Sequence, residues 1–95
     1  MSYIDSENRE NLISDASIEN FEKILTKNGY KVTKTKYSVT GTKGGTWSTN
    51  GKIDTITIRD TGKYRECEGV YTAKGILCRP HSNLLANIIA EAEAL

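Results

Sequence analysis

The sequence predicts a small α+β domain: an N-terminal helix, an antiparallel β-meander of four to five strands and a C-terminal helix, with both helices packed on one sheet face. Three observations carry that class. Apolar residues recur at helical spacing over residues 15–28 and again from Leu84 to Leu95. Between them, from Tyr30 onward, the period falls to two. Glycine-bearing turn signals at Asn50-Gly51, at Asp60-Thr61-Gly62 and at Ala73-Lys74-Gly75 punctuate that middle stretch.

The first helix is read from Ala16, Phe21, Ile24 and Leu25, with Leu12 and Ile13 one turn earlier. Ser14, Asp15 and Ser17 are candidate caps, because a short side-chain oxygen accepts an orphan backbone N–H. Glu19 and Glu22 suit the positive end of the helix dipole, and Lys23 and Lys27 the negative end. Gly29 supplies the left-handed residue that closes it. Strands are then expected at about 30–40, 45–49, 52–59, 63–72 and 76–79. Tyr30 and Val32 differ in parity from Tyr37 and Val39, which predicts a bulge between Thr33 and Lys36. Ile56 and Ile58 look inward, Thr55 and Thr57 outward. Pro80 opens the last helix, or Ser82 caps it. Leu84, Leu85, Ile88, Ile89, Ala92 and Leu95 form its apolar stripe, long enough on so small a domain to suggest a homodimer.

Ninety-five residues, 37% hydrophobic and 26% charged, make one globular domain over 1–95 rather than a disordered chain. Residues 1–14 are expected to be a loosely attached segment, and the polar, acidic opening reads as neither a signal nor a transit peptide. No apolar run is long enough for a membrane span, and two cysteines make no disulfide framework, so a cytoplasmic setting without membrane contact is expected.

Net charge is +1, but the charge is segregated. Residues 1–22 hold six acids against Arg9; residues 23–52 hold seven lysines and no acid. Such a run creates a local positive field on a near-neutral chain. Within it, "GTKGGTWSTNGK" (41–52) joins glycines, hydroxyls, lysines and the one tryptophan. Glycine backbones can approach an anion closely, lysines neutralise it, and an aromatic ring stacks on a base. The ligand-binding set is therefore Lys31, Lys34, Lys36, Tyr37, Lys43, Gly44, Gly45, Trp47, Lys52 and Arg59. The glycine spacing is not that of a P-loop.

Cys67, Cys78 and His81 come together if Ala73–Gly75 turns a hairpin, since Cys67 then faces His81. That trio is the one candidate zinc set, and the same geometry would serve a Cys–His dyad. It lacks the paired hooks of a structural zinc site, so two buried reduced thiols are the expected outcome, with no cofactor.

"FEKILTKNGYKV" (21–32), a helix ending in an Asn-Gly-aromatic step into a strand, resembles the opening of HicA-type toxins. The helix–meander–helix order is similar to theirs and to that of double-stranded-RNA-binding domains. The resemblance implies RNA among the ligands. It covers about a dozen residues and the order of elements. The toxins' catalytic histidine has no counterpart between Lys36 and Trp47, and "PHSNLLANIIAEA" lacks the basic helix start of the RNA domains.

Together these readings point to a non-enzymatic module for a phosphate-bearing ligand, nucleic acid ahead of a nucleotide. The alternative is a small protein-binding inhibitor or adaptor of the kind mobile elements encode, steered by its split charge.

Overall fold

The computed structural model describes residues 2–44, 53–79 and 81–95, with Ile53 described for its backbone only. It is an α+β domain of eight strands and two helices among those residues. In chain order they are β1 (Tyr3–Ile4), β2 (Leu12–Ser14), α1 (Ile18–Lys27), β3 (Lys31–Lys34), β4 (Ser38–Gly44), β5 (Ile53–Asp60), β6 (Arg65–Cys67), β7 (Val70–Ala73), β8 (Ile76–Arg79) and α2 (Asn83–Glu93). Six strands form one antiparallel sheet in the order β1-β2-β8-β5-β4-β3, and β6 and β7 form a separate hairpin.

The expected helix-first meander of four to five strands is thus overturned. Two strands precede α1, and the sheet is not a meander, because β8 pairs with β5 on one side and β2 on the other. The reason lies in residues 11–14. Their side chains are buried, and Leu12, Ile13 and Ser14 pair with Cys78, Leu77 and Ile76. The apolar pair Leu12-Ile13 serves both faces of a sheet, not an earlier turn of the helix. Within the N-terminal segment 1–14, Tyr3–Ile4 and Leu12–Ser14 are strands of this sheet.

Two further expectations change. The parity switch after Thr33 is a chain reversal rather than a bulge: Thr35 donates its N–H to Ser38 O at 2.8 Å, and β3 and β4 pair from Lys31↔Thr42 to Lys34↔Val39. The expected strand 63–72 is folded back on itself at Glu68-Gly69, where both residues take positive φ (50° and 81°), as a tight hairpin turn requires. The expected Asn50-Gly51 tip, the strand at 45–49 and Pro80 lie outside the described residues.

Both helices lie on one face. Ser17 caps α1, accepting from the Asn20 N–H, and Gly29 (φ 86°) follows its end; Ser82 caps α2. Phe21, Ile24 and Leu25 of α1 and Leu85, Ile88, Ile89 and Ala92 of α2 pack on Leu12, Val39, Ile56, Ile58, Ile76 and Cys78. The α2 stripe is therefore largely used inside the fold, and of its residues only Leu84 and Leu95 are exposed. No helix among the described residues is long and apolar enough to cross a membrane.

On the opposite face, at the β1-β2-β8 end, the β6–β7 hairpin packs Cys67 and Ala73 on Ile13, with Tyr3 and Leu77 alongside. Arg65 fastens it, donating to the fully buried Asp5 carboxylate at 2.9 Å and to Glu7 at 3.0 Å. The Ser6 hydroxyl adds a bond to Glu66 O at 2.9 Å. Among the described residues, the hairpin does not extend over the β3-β4-β5 end of that face.

Candidate functional site

Residues opposite each other in an antiparallel ladder share a face, so the register gives the open surface row by row. One row is Lys31–Thr42–Thr55. The next is Thr33–Thr40–Thr57–Arg79, and a third runs Ser38–Arg59–Leu77 towards Ile13 and Tyr3 under the hairpin. Lys31, Thr33, Thr55, Arg59 and Arg79 are exposed; Ser38, Thr40, Thr42 and Thr57 are half-buried. Threonine suits this place twice, as a β-branched strand former and as a hydroxyl donor.

These rows contain no carboxylate. Asp54 and Asp60 of β5 have the other parity, opposite Lys43 and Ile76, and the Asp60 carboxylate accepts the Gly62 N–H at 2.8 Å. The rows draw Lys31, Thr33, Ser38, Thr40 and Thr42 from the acid-free run and add Thr55, Thr57, Arg59 and Arg79 from beyond it, so that three cations stand among hydroxyls.

The expected ligand-binding residues are divided by the fold. Lys31 and Arg59 are on the open face. Lys34 has the helix-side parity, and its Nζ lies 4.0 Å from Glu22 of α1. Lys43 is also on the helix side: its Nζ donates to Asn28 O at 3.0 Å and sits 5.4 Å from the Tyr30 ring centroid. There it complements the negative end of α1. Lys36 lies over the exposed Tyr37 ring at 5.3 Å, in the β3–β4 turn at one end of the sheet. Gly44 ends β4 with φ 123°. Gly45, Trp47 and Lys52 lie outside the described residues. Arg79 is the cation that the sequence reading passed over. The alternation Leu77-Cys78-Arg79 fixes its face only once β8 is known to pair with β5.

Cys67, Cys78 and His81 are not brought together. The residues after Ala73 do not pair back on β7, because β8 joins the large sheet instead. Cys78 lies in the helix-side core and Cys67 beneath the hairpin on the opposite face. Both are free and fully buried, and burial pushes both thiols above their ordinary range. His81 is exposed, and its backbone N–H donates to Glu10 O at 2.9 Å. Among the described residues no three His, Cys, Asp or Glu side chains are grouped to hold a metal ion.

The outer side of the hairpin has a different chemistry. Tyr64, Val70 and Tyr71 are exposed there beside Glu66 and Glu68. A hydrogen bond to Glu66 raises the pKa of the Tyr71 phenol.

No protein-family pattern matches this chain, and neither a curated protein nor a solved structure does.

Proposed function

We propose that the chain is a non-enzymatic binding module for a phosphate-bearing ligand, nucleic acid ahead of a free nucleotide, seated on the open sheet face. The observation that carries this reading is the set of rows on β3, β4, β5 and β8: three cations on a bed of threonine and serine, with no acid among them. From β3 to β8 is three inter-strand steps, roughly 14 Å, which is room for several phosphates of one strand. Lys31, Arg59 and Arg79 neutralise phosphate, the hydroxyls donate to phosphate and sugar oxygens, and Tyr37 offers a ring for a base at the sheet end. A catalytic cysteine has no place in this scheme, because both thiols are enclosed and kept protonated by burial.

The test is fluorescence anisotropy of a labelled oligonucleotide against rising salt. Three phosphate contacts on a single strand give a slope of log K against log salt of about −2. Absence of binding at low salt, or an affinity indifferent to salt, would overturn the reading.

The exposed Tyr64, Val70 and Tyr71 beside two glutamates favour a second reading, a protein-binding adaptor docking through the hairpin. A nuclease-resistant complex with a defined protein, lost in Tyr71→Ala and kept in Arg59→Gln, would favour it over the first.

A further inference from the structure

The described surface has a cleft of about 430 Å³ lined by Arg9, Glu10, Arg79 and His81. Its volume falls within the range of small-ligand sites. Three segments build it: the loop before β2, the end of β8, and the residue before the Ser82 cap of α2. The bond from the His81 N–H to Glu10 O ties two of them together. The ion pairs among the described residues are Lys34–Glu22, Arg65–Asp5 and Arg65–Glu7, so neither guanidinium of the cleft is committed to one. The first turn of α2, which begins two residues beyond His81, carries no acid of its own.

We infer that this cleft binds a terminal phosphate group, a phosphomonoester. The inference rests on the phosphate-binding reading above and names where a strand crossing the sheet ends. Arg79 belongs both to the row Thr33–Thr40–Thr57–Arg79 and to the cleft, so a ligand on the row leads into it. An internal phosphodiester carries one charge and two free oxygens. A monoester carries nearly two charges at neutral pH and three acceptor oxygens. Two guanidinium forks and an imidazole N–H match the second set. Glu10 opposes it with one carboxylate, and that opposition gives the inference a signature of its own.

The experiment uses one oligonucleotide sequence prepared with a 5′-phosphate, with a 3′-phosphate and with hydroxyl ends, together with a nucleoside monophosphate and inorganic phosphate as competitors. A strand with one phosphorylated end is expected to bind about tenfold tighter than the hydroxyl-ended strand, the low end for charge-assisted hydrogen bonds because the cleft is open. Arg9→Gln and Arg79→Gln should each remove most of that preference, and Glu10→Gln should increase it; all three positions are exposed, so the melting temperature serves as the folding control. If the monophosphate displaces the strand and inorganic phosphate does not, the site also reads the nucleoside; if both displace it, the phosphate alone is recognised. Equal affinity for all three strands, or a preference that survives in the double arginine variant, overturns the inference and leaves the sheet-face reading standing. If no strand binds at low salt, the sheet-face reading falls. The cleft is then judged alone by NMR shifts of Arg9, Arg79 and His81 under the monophosphate, and their absence removes it too.

Discussion

Replacing Gly75 with alanine tests how the chain passes from β5 into the hairpin. Gly75 sits just before β8, and its carbonyl accepts both the Thr61 N–H and the Thr61 hydroxyl, each at 2.7 Å. The 61–63 segment crosses directly over it. A Cβ at Gly75 would fall inside the contact radii of Thr61 Oγ1 and the Lys63 carbonyl oxygen, and 3.0 Å from the Lys63 nitrogen. Thr61 can turn its side chain away, but the Lys63 backbone has to retreat by about an ångström or more to reach ordinary contact. Overpacking of this kind costs about 1–3 kcal/mol, and the two bonds to Gly75 O are worth about 1 kcal/mol each. The sum, about 3–5 kcal/mol, is a large share of the roughly 5–14 kcal/mol expected for a domain of this length. At about 4–8 °C per kcal/mol, the melting temperature should fall by roughly 12–40 °C. Thermal unfolding followed by circular dichroism measures it. Gly62→Ala and Gly69→Ala are the controls: both glycines have positive φ but nothing within 4 Å, so each should cost only about 1 kcal/mol of backbone strain. A Gly75→Ala protein that melts within about 5 °C of its parent, or above Gly62→Ala, would refute the steric argument.

Three other outcomes follow from the same surfaces. Arg59→Gln should weaken oligonucleotide binding evenly across sequences and flatten the salt slope by about 0.7, whereas Lys43→Gln, on the helix side, should leave the slope unchanged. Asp5→Asn keeps the shape of a fully buried side chain but removes the charge facing Arg65; it should destabilise by about 2 kcal/mol in urea unfolding, the Glu7 carboxylate limiting the loss. Stability should decline as pH rises above about 8.5, since the unfolded thiols ionise there and the folded ones, raised by burial, stay protonated; Cys78→Ala should lessen that decline.

Much of the framework was legible in the sequence, and the misses have specific causes. Phe21, Ile24 and Leu25 announce α1, because three apolar positions on one helical stripe have no strand alternative. Ile56 and Ile58 alternating with Thr55 and Thr57 announce β5 with its correct faces. Leu12-Ile13 misled, since two adjacent apolar residues fit a helix turn as well as a short strand buried on both faces, and only long-range pairing with β8 decides. Glu68-Gly69 was a turn signal set inside an apparently continuous strand; glutamate at φ 50° is uncommon enough that glycine alone had to give it away. For the surface, composition identified the acid-free run but not its division. Lys34 and Lys43 have helix-side parity while Lys31 does not, and parity within β3 and β4 depends on the reversal at Thr35–Tyr37. Arg9, Arg79 and His81 are far apart in sequence, and no local pattern places them around one cleft.

The two cysteines stand in separate layers of the molecule, and this makes them independent clocks. Cys78 reaches a thiol reagent only when the helical layer parts from the sheet, which disrupts the main core. Cys67 needs only the hairpin to lift from Ile13, with Arg65 released from Asp5. Labelling in the native state should therefore run in two phases, Cys67 first, and the ratio of their rates reads the free-energy gap between a local opening and near-global unfolding in one unmodified chain.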